Sequence, residues 1–322
     1  MNLIERIFSI QDEKAFNDCC LEVYAFQKEN VQVYADFLKG IRRPEPTHYS
    51  EIPHLPISFF KSHSIHAENH SIDKVFKSSG TGNMIRSQHF VTDLSIYEQS
   101  FLKTYEHFIG KCVDQVIVAL LPNYVSQGDS SLVYMVDTLI QKTNNPNSGY
   151  YLDDFSKLIQ VVQESKASGK QVVLFGVSYA LLDLAELKPD FSGVRIIETG
   201  GMKGRRKELS KEALHQILKE GFNVDFISSE YGMCELLSQA YSNKDGLFEL
   251  PNWMKVTLRE TTDPFSLLNK DKTGGVNVID LANLYSCSFI ETQDLGRMEG
   301  EFFRLMGRFD HSDIRGCNLL VS

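Results

Sequence analysis

Apolar residues near the start of the chain recur at helical spacing. Phe16, Cys19, Cys20, Val23, Tyr24 and Phe26 form one set, and Val31, Tyr34, Phe37 and Leu38 a second, so residues 1 to about 40 read as two core-packed helices. Gly40 is expected to end the second helix. Pro44 and Pro46 then open a loop before the extended, proline-punctuated segment 52–61. From residue 75 the pattern becomes strand, glycine turn, strand. A helix then starts at Asp93 as N-cap, with Tyr97, Phe101, Tyr105 and Phe108 on one face. Residues 115–122 form an unbroken apolar run, as a strand covered on both faces requires.

The alternation continues. A helix is expected over 130–142, a strand over 171–178, a helix over 179–187 and a strand over 194–201 that ends in Gly200 and Gly201. An amphipathic helix over 207–222 follows, with Gly221 as its stop, and then a strand over 224–232. This rhythm predicts an α/β protein with a largely parallel sheet. After about residue 240, short alternating segments (253–260, 274–282, 287–296 and 301–310) read as hairpins of a small mixed or antiparallel sheet. No composition break marks a linker, so one body with layered subdomains is expected.

Composition narrows the class. Of 322 residues, 42% are hydrophobic and 23% charged, which is ordinary for a globular chain. Asp and Glu number 42 against 33 Lys and Arg, a net charge of −9, which disfavours a general nucleic-acid binder. The longest nearly apolar stretch, 172–182, is shorter than the roughly 20 residues a membrane span needs. Charges every few residues in the first 16 match neither a signal nor a transit peptide. The spacing of Cys19, Cys20, Cys112, Cys234, Cys287 and Cys317 fits no zinc motif. A cytoplasmic protein with reduced thiols is therefore expected.

Four segments carry candidate chemistry. Ser78, Ser79, Gly80, Thr81 and Gly82 make a small-residue turn whose amides and hydroxyls suit phosphate, or an ordinary turn between two strands. It is no Walker loop, because no Gly-Lys-Ser/Thr follows. In the segment 228–239 a strand is expected to end, the chain to turn at Gly232, and a helix to begin near Glu235. Tyr231 and Glu235 would then stand at the carboxyl end of a strand, where open α/β sheets place ligands. A carboxylate there suits Mg²⁺ or a helix dipole. Asp294 is expected in a tight loop, where its two oxygens suit a ribose diol or an Asx-turn. Arg308 and Asp310 are expected together in a turn, and Cys317 follows close to the end of the sequence.

In this order, the four segments resemble the adenylate-forming superfamily of acyl-CoA synthetases, aryl-CoA ligases and adenylation domains. Its phosphate loop, Tyr-Gly-x-Thr-Glu turn, Thr-Gly-Asp loop and Gly-Arg-x-Asp hinge correspond to Ser78–Gly82, Tyr231–Glu235, Thr292–Asp294 and Gly307–Asp310. The correspondence covers roughly residues 75–316. Here the phosphate loop is a residue shorter, Cys234 stands where the pattern has Thr, and Gln293 where it has Gly. Segments 52–62 and 198–206, with the stop soon after residue 315, are similar to the acyl-protein synthetase (LuxE-type) family.

That resemblance implies an α/β fold like the N-terminal domain of adenylate-forming enzymes, with layered αβ sheets and without the mobile C-terminal domain. It implies an adenylation core over 1–306, including the helical segment of about 1–40, and a hinge-like motif with a short tail over 307–322. It implies that ATP and Mg²⁺ are used to turn a fatty or aryl carboxylate into an acyl-adenylate, and that the acyl group passes to Cys317 and on to a reductase or transferase partner. Ser78, Ser79, Gly80, Thr81 and Gly82 would bind pyrophosphate, and Gly200, Gly201, Tyr231 and Gly232 the adenine side. Glu235 would hold the metal. Asp294 would hold the ribose, with Arg308 at the ribose or hinge. Lys203, with Arg205 and Arg206, would offset phosphate charge in place of the missing domain's lysine. Cys234 is a second thiol nearby, read as a small buried replacement for Thr. Transfer to CoA or a carrier-protein thiol, and a catalytically weak acyl-binding scaffold subunit, are the alternatives.

Overall fold

A computed structural model describes residues 1–79, 85–121, 128–152, 154–201, 209–243, 246–268 and 272–308. Three helices come first, α1 (Leu3–Ile7), α2 (Glu13–Asn30) and α3 (Gln32–Ile41), followed by a short strand β1 (Leu55–Pro56) and a single-turn helix α4 (Phe59–Ser62). Then come β2 (Lys74–Lys77), β3 (Gln88–Val91), α5 (Leu94–Phe108), β4 (Gln115–Leu120), α6 (Ser131–Thr143), β5 (Gly149–Tyr150) and α7 (Phe155–Ala167). The alternation continues through β6 (Gln171–Val177), α8 (Ser178–Ala185), β7 (Arg195–Thr199), α9 (Lys211–Phe222) and β8 (Ser228–Tyr231). Strands β9 (Ala240–Ser242), β10 (Leu247–Glu249), β11 (Met254–Arg259), β12 (Thr273–Asp280), β13 (Phe289–Glu299) and β14 (Phe302–Arg308) complete the described chain.

Side-chain caps start several helices where the sequence places Asp or Ser. Asp93 accepts from the Ser95 N–H at 2.9 Å, Asp12 from Ala15 at 2.8 Å, and Asp154 from Lys157 at 2.8 Å. Two expected glycine stops lie inside their helices instead. Arg42 (φ +50°) follows α3 in the left-handed conformation, and Asn223 (φ +56°) follows α9. Gly221 serves packing rather than termination. A Cβ there would stand 2.6 Å from Ala185 Cβ and 2.9 Å from the Ala185 carbonyl oxygen, so its bare Cα lets α9 close onto the end of α8.

The chain forms two compact units. One comprises Met1–Ile72, Phe90–Thr92 and Asn252–Ser322, described as far as Arg308. Its sheet runs β11-β12-β13-β14, all antiparallel, with β1 adding in parallel to β13. The expected mixed sheet is thus present. Gln27 of α2 ties the helical layer to this unit by bonding the carbonyls of Asn283 and Leu284 and the Ser288 hydroxyl, at 2.9–3.0 Å. Arg259 lies fully buried beneath this sheet. Its guanidinium bonds Glu291 Oε1 (3.2 Å) and the carbonyls of Val276 (3.1 Å) and Thr292 (2.8 Å), and a Cβ at Gly275 would strike it.

The other unit comprises Asp73–His89 and Asp93–Pro251. Its sheet has the order β10-β9-β8-β7-β6-β4-β5. The neighbours from β5 to β8 pair in parallel, and β8, β9 and β10 pair antiparallel. Every residue of β4 is buried, as the apolar run predicts for a strand covered on both faces. Among the described residues, no helix is long and apolar enough to cross a membrane.

Candidate active site

In the second unit the candidate residues gather at the carboxyl ends of β2, β7 and β8. Ser78 and Ser79 follow β2, at the foot of the glycine turn. The Ser78 N–H donates to the Ser87 carbonyl (3.0 Å), and Ser78 Oγ accepts from the Ser87 N–H (2.9 Å). Pinning the two ends of the turn together in this way leaves the Ser78 hydroxyl proton free to donate. Arg86 completes the clamp. Its guanidinium bonds the Ser78 carbonyl and both carboxylate oxygens of Asp129, at 3.2 and 2.9 Å. Sequence reasoning overlooked Arg86; its only signal was a cation just past the glycines. Gly80, Thr81 and Gly82 lie outside the described residues, as do Lys203, Arg205, Arg206, Asp310 and Cys317.

The stretch after β8 differs from expectation. No helix begins near Glu235. The chain makes a single turn at Cys234–Glu235, with the Leu236 N–H on the Met233 carbonyl (3.1 Å), and returns as β9, antiparallel to β8. Glu235 is therefore a turn residue, only 5% exposed, and not a helix N-terminal carboxylate. The His89 ring nitrogen Nδ1 lies 2.8 Å from the Cys234 carbonyl, and Ser100 and Ser238 share a hydrogen bond of 2.9 Å between their hydroxyls. These contacts fasten the turn to β3 and α5. Burial pushes the Cys234 thiol well above its ordinary range, and the charge of Glu235 pushes it further. Its reading as a small buried residue holds.

Tyr231 ends β8, and Gly232 begins the turn. Gly200 follows β7 with φ +71°, a conformation that favours glycine. A Cβ at Gly201 would meet nothing within 4 Å, so the backbone there is open to close approach.

Two glutamates flank this edge. Glu198 on β7 is fully buried and saturated. It accepts from Lys211 Nζ (2.7 Å), Ser229 Oγ (3.1 Å) and the Ser178 hydroxyl, with His215 Nε2 at 3.9 Å. Burial opposes its charge, but Lys211 and these hydrogen bonds hold its carboxyl down to about 2. Glu230 on β8 accepts a single hydrogen bond, from Thr199 Oγ1 at 2.5 Å. Burial pushes its carboxyl up to about 7, helped by the charge of Glu198 and opposed by Thr199 and Lys211. Neither stands out in the sequence as a site residue. A glutamate inside a strand was the available signal.

The first unit holds Asp294 and Arg308, and both differ from expectation. Asp294 lies within β13 rather than in a loop, and Arg308 is the last residue of β14 rather than part of a turn. Antiparallel pairing sets them opposite each other, and Arg308 Nε donates to Asp294 Oδ1 at 2.8 Å. A register shift between Leu295 and Gly296 interrupts the ladder just beyond Asp294, a place where bulges commonly re-aim side chains. Among the described residues, no group of three or more His, Cys, Asp or Glu is arranged to hold a metal ion.

No protein-family model matches the sequence, and no curated protein matches it. Solved structures do match. The chain is similar to an open conformation of 2-hydroxyisobutyryl-CoA ligase in complex with 2-HIB-AMP and CoA. There the TM-score is 0.65 and the identity 12%, over 93% of this chain and 70% of that one. The fold is that of the N-terminal domain of adenylate-forming enzymes. A second match is an ATP-bound RpMatB-BxBclM chimera, with TM-score 0.55 and 15% identity over 74% of this chain. A third is the luciferase-like enzyme of the nonluminescent Zophobas morio mealworm, with TM-score 0.52 and 13% identity, over 86% of this chain and 70% of that one. The match spans about half (48%) of the chimera's length.

Proposed function

We propose that the protein uses ATP to activate a carboxylic acid as an acyl-adenylate and then hands the acyl group to a thiol. The observation that carries this reading is the Tyr231–Glu235 turn beside the Gly200–Gly201 pair, at the carboxyl edge of a parallel sheet, in a chain with this fold. Tyr231 offers a ring for the base, and the glycine pair with Gly232 offers backbone it can approach. Ser78 and Ser79, with Gly80, Thr81 and Gly82, supply amide and hydroxyl donors to the phosphates. Asp294, held by Arg308, supplies two acceptor oxygens to the ribose hydroxyls. Lys203 adds positive charge near the phosphates.

Glu235 would hold Mg²⁺. A single carboxylate contributed by a buried turn, outside any metal-holding group of His, Cys, Asp or Glu among the described residues, fits an ion bound mainly by phosphates and water. When bound, the ion neutralises charge that builds on the phosphates. A carboxylate oxygen of the acid bonds to the α-phosphorus as the bond to the bridging oxygen breaks, and pyrophosphate leaves with that electron pair. The acceptor thiol gives its proton to solvent, its sulfur bonds to the acyl carbon as the bond from that carbon to the AMP oxygen breaks, and AMP leaves with that electron pair. Most of the acceleration comes from positioning and charge complementarity.

The finer reading is an acyl-protein synthetase of the LuxE type. It acts in the cytoplasm on a fatty acid, carries the acyl group on Cys317 and delivers it to a reductase or transferase. The adenylation core is 1–306, and 307–322 is its hinge and tail. The state of the other thiols supports this acceptor. Cys19, Cys20, Cys112, Cys234 and Cys287 are free, and burial raises every one of them, Cys112 to about 11 and Cys287 to about 12. They stay protonated near neutrality. The second reading, CoA as acceptor, is favoured by the CoA complex of the similar ligase.

The test is carboxylate-dependent ATP–pyrophosphate exchange with Mg²⁺, over a panel from acetate through long-chain fatty acids to aryl acids. Exchange with one class is expected. Folded protein that neither exchanges nor binds ATP would contradict adenylation and leave the scaffold reading. Cys317→Ser should abolish hydroxylamine-labile acylation of the protein and leave exchange intact. Acyl-CoA made by that variant would establish the second reading.

A further inference from the structure

We propose that Glu230 is a specificity-determining residue that reads a hydrogen-bond donor, a hydroxyl or an ammonium, on the carboxylic acid being activated. The inference deepens the adenylation reading and rests on it. Strand geometry sets the sidedness. Successive side chains of β8 point to opposite faces. Ser229 faces Glu198 and His215, so Tyr231 shares that face and Glu230 points to the other, where Thr199 meets it. If Tyr231 carries the base, Glu230 lies on the opposite side of the strand, toward Tyr97 of α5 and Tyr241 of β9, whose electrostatic surroundings include its carboxyl.

The carboxyl is poised rather than saturated. Thr199 donates to Oε2, while Oε1 has no hydrogen-bond partner among the described residues. No described cation forms an ion pair with it. Glu230 keeps part of its surface exposed although protein surrounds its carboxyl. Oε1 lies over Gly232, where a Cβ would strike it, so the glycine keeps this place open for the carboxyl. A carboxyl held only for stability is normally fully bonded, as Glu198 is on the other face of the same strands. One left with an open oxygen at the carboxyl edge of a parallel sheet is positioned for a ligand. An unsubstituted alkyl chain laid against it would strand that oxygen, whereas a hydroxyl or ammonium would donate to it.

The experiment compares exchange kinetics for chain-matched sets of unsubstituted, hydroxy- and amino-carboxylic acids, in wild type, Glu230→Gln and Glu230→Met. The wild type should favour a substituted acid by at least about tenfold in kcat/KM, the discrimination expected of a hydrogen bond to a polar group in a shielded place. Glu230→Met should erase that preference. Glu230→Gln, near-isosteric, should keep a hydroxyl preference and lose an ammonium preference, and it carries the test if the Met variant does not fold. Equal or better use of the unsubstituted acid, or a preference that survives the substitutions, would overturn the proposal. If no acid supports exchange, the adenylation reading fails, and binding of the same acids followed by NMR decides the residue. Binding of a substituted acid that Glu230→Gln or Glu230→Met weakens would still support its role, and absence of such binding would overturn it.

Discussion

On one face of β7 and β8, Glu198 receives Lys211, Ser178 and Ser229. On the other face, Glu230 receives Thr199 alone. Both are glutamates, and their strands are paired neighbours. Their carboxyls nonetheless lie on opposite sides of the ordinary range, at about 2 and about 7. The difference is one of partners, because burial opposes charge at both positions. A saturated carboxylate locks β7, β8, α8 and α9 together. An unsaturated one holds a proton or a ligand. Environments that drive two like groups apart often mark the division between framework and chemistry.

The largest way to break the contrast is Lys211→Met. It leaves Glu198 buried without its cation and should cost about 3 kcal/mol of stability in urea unfolding. A loss near zero would mean that the hydroxyls alone hold the charge. Gly232→Ala acts on the other face only. The new methyl meets the mobile end of Glu230, so the expected loss is about 1 kcal/mol, the worth of the displaced Thr199 hydrogen bond. Any preference between substituted and unsubstituted acids should fall with it. A stable variant with unchanged preference would uncouple Glu230 from the ligand.

A pH series is the finest probe, and the two signs oppose. The folded pKa of Glu198 is depressed, so its contribution is full above the ordinary carboxylate range and fades as pH falls toward about 2. The folded pKa of Glu230 is raised. Its contribution is full below the ordinary range and is lost as pH climbs through about 7. Its titratable and charged neighbours are Glu198, Lys211, Tyr97 and Tyr241, and both tyrosines sit well above their usual range. Comparison with Glu230→Gln between pH 5 and 8 isolates this loss, because the Gln variant should not show it.

Much of the fold was legible because periodicity and caps are local. The run at 115–122 became fully buried β4, Asp93 capped α5, and the alternation at 254–308 became the antiparallel sheet. The misreadings arose where a distant partner decided the outcome. Gly221 looked like a stop but is shaped by Ala185 on another helix. The segment after Tyr231 could have continued as a helix, yet pairing of β9 with β8 turned it back. Asp294 resembled a loop residue, and Arg308 across the ladder fixed it in a strand. Of the candidate site, the glycine pair and the Tyr231–Gly232 turn were legible as motifs. Arg86, Glu198 and Glu230 were not, because their roles depend on side chains that fold to them from far along the sequence.

The most direct test of acyl-adenylate chemistry follows the oxygen atoms. The protein is incubated with ATP, Mg²⁺, a thiol acceptor and a carboxylic acid labelled with heavy oxygen in its carboxyl group, and the AMP released is weighed by mass spectrometry. Attack of the carboxylate on the α-phosphorus predicts AMP carrying one heavy oxygen from the acid. Unlabelled AMP, or release of ADP in its place, would contradict it.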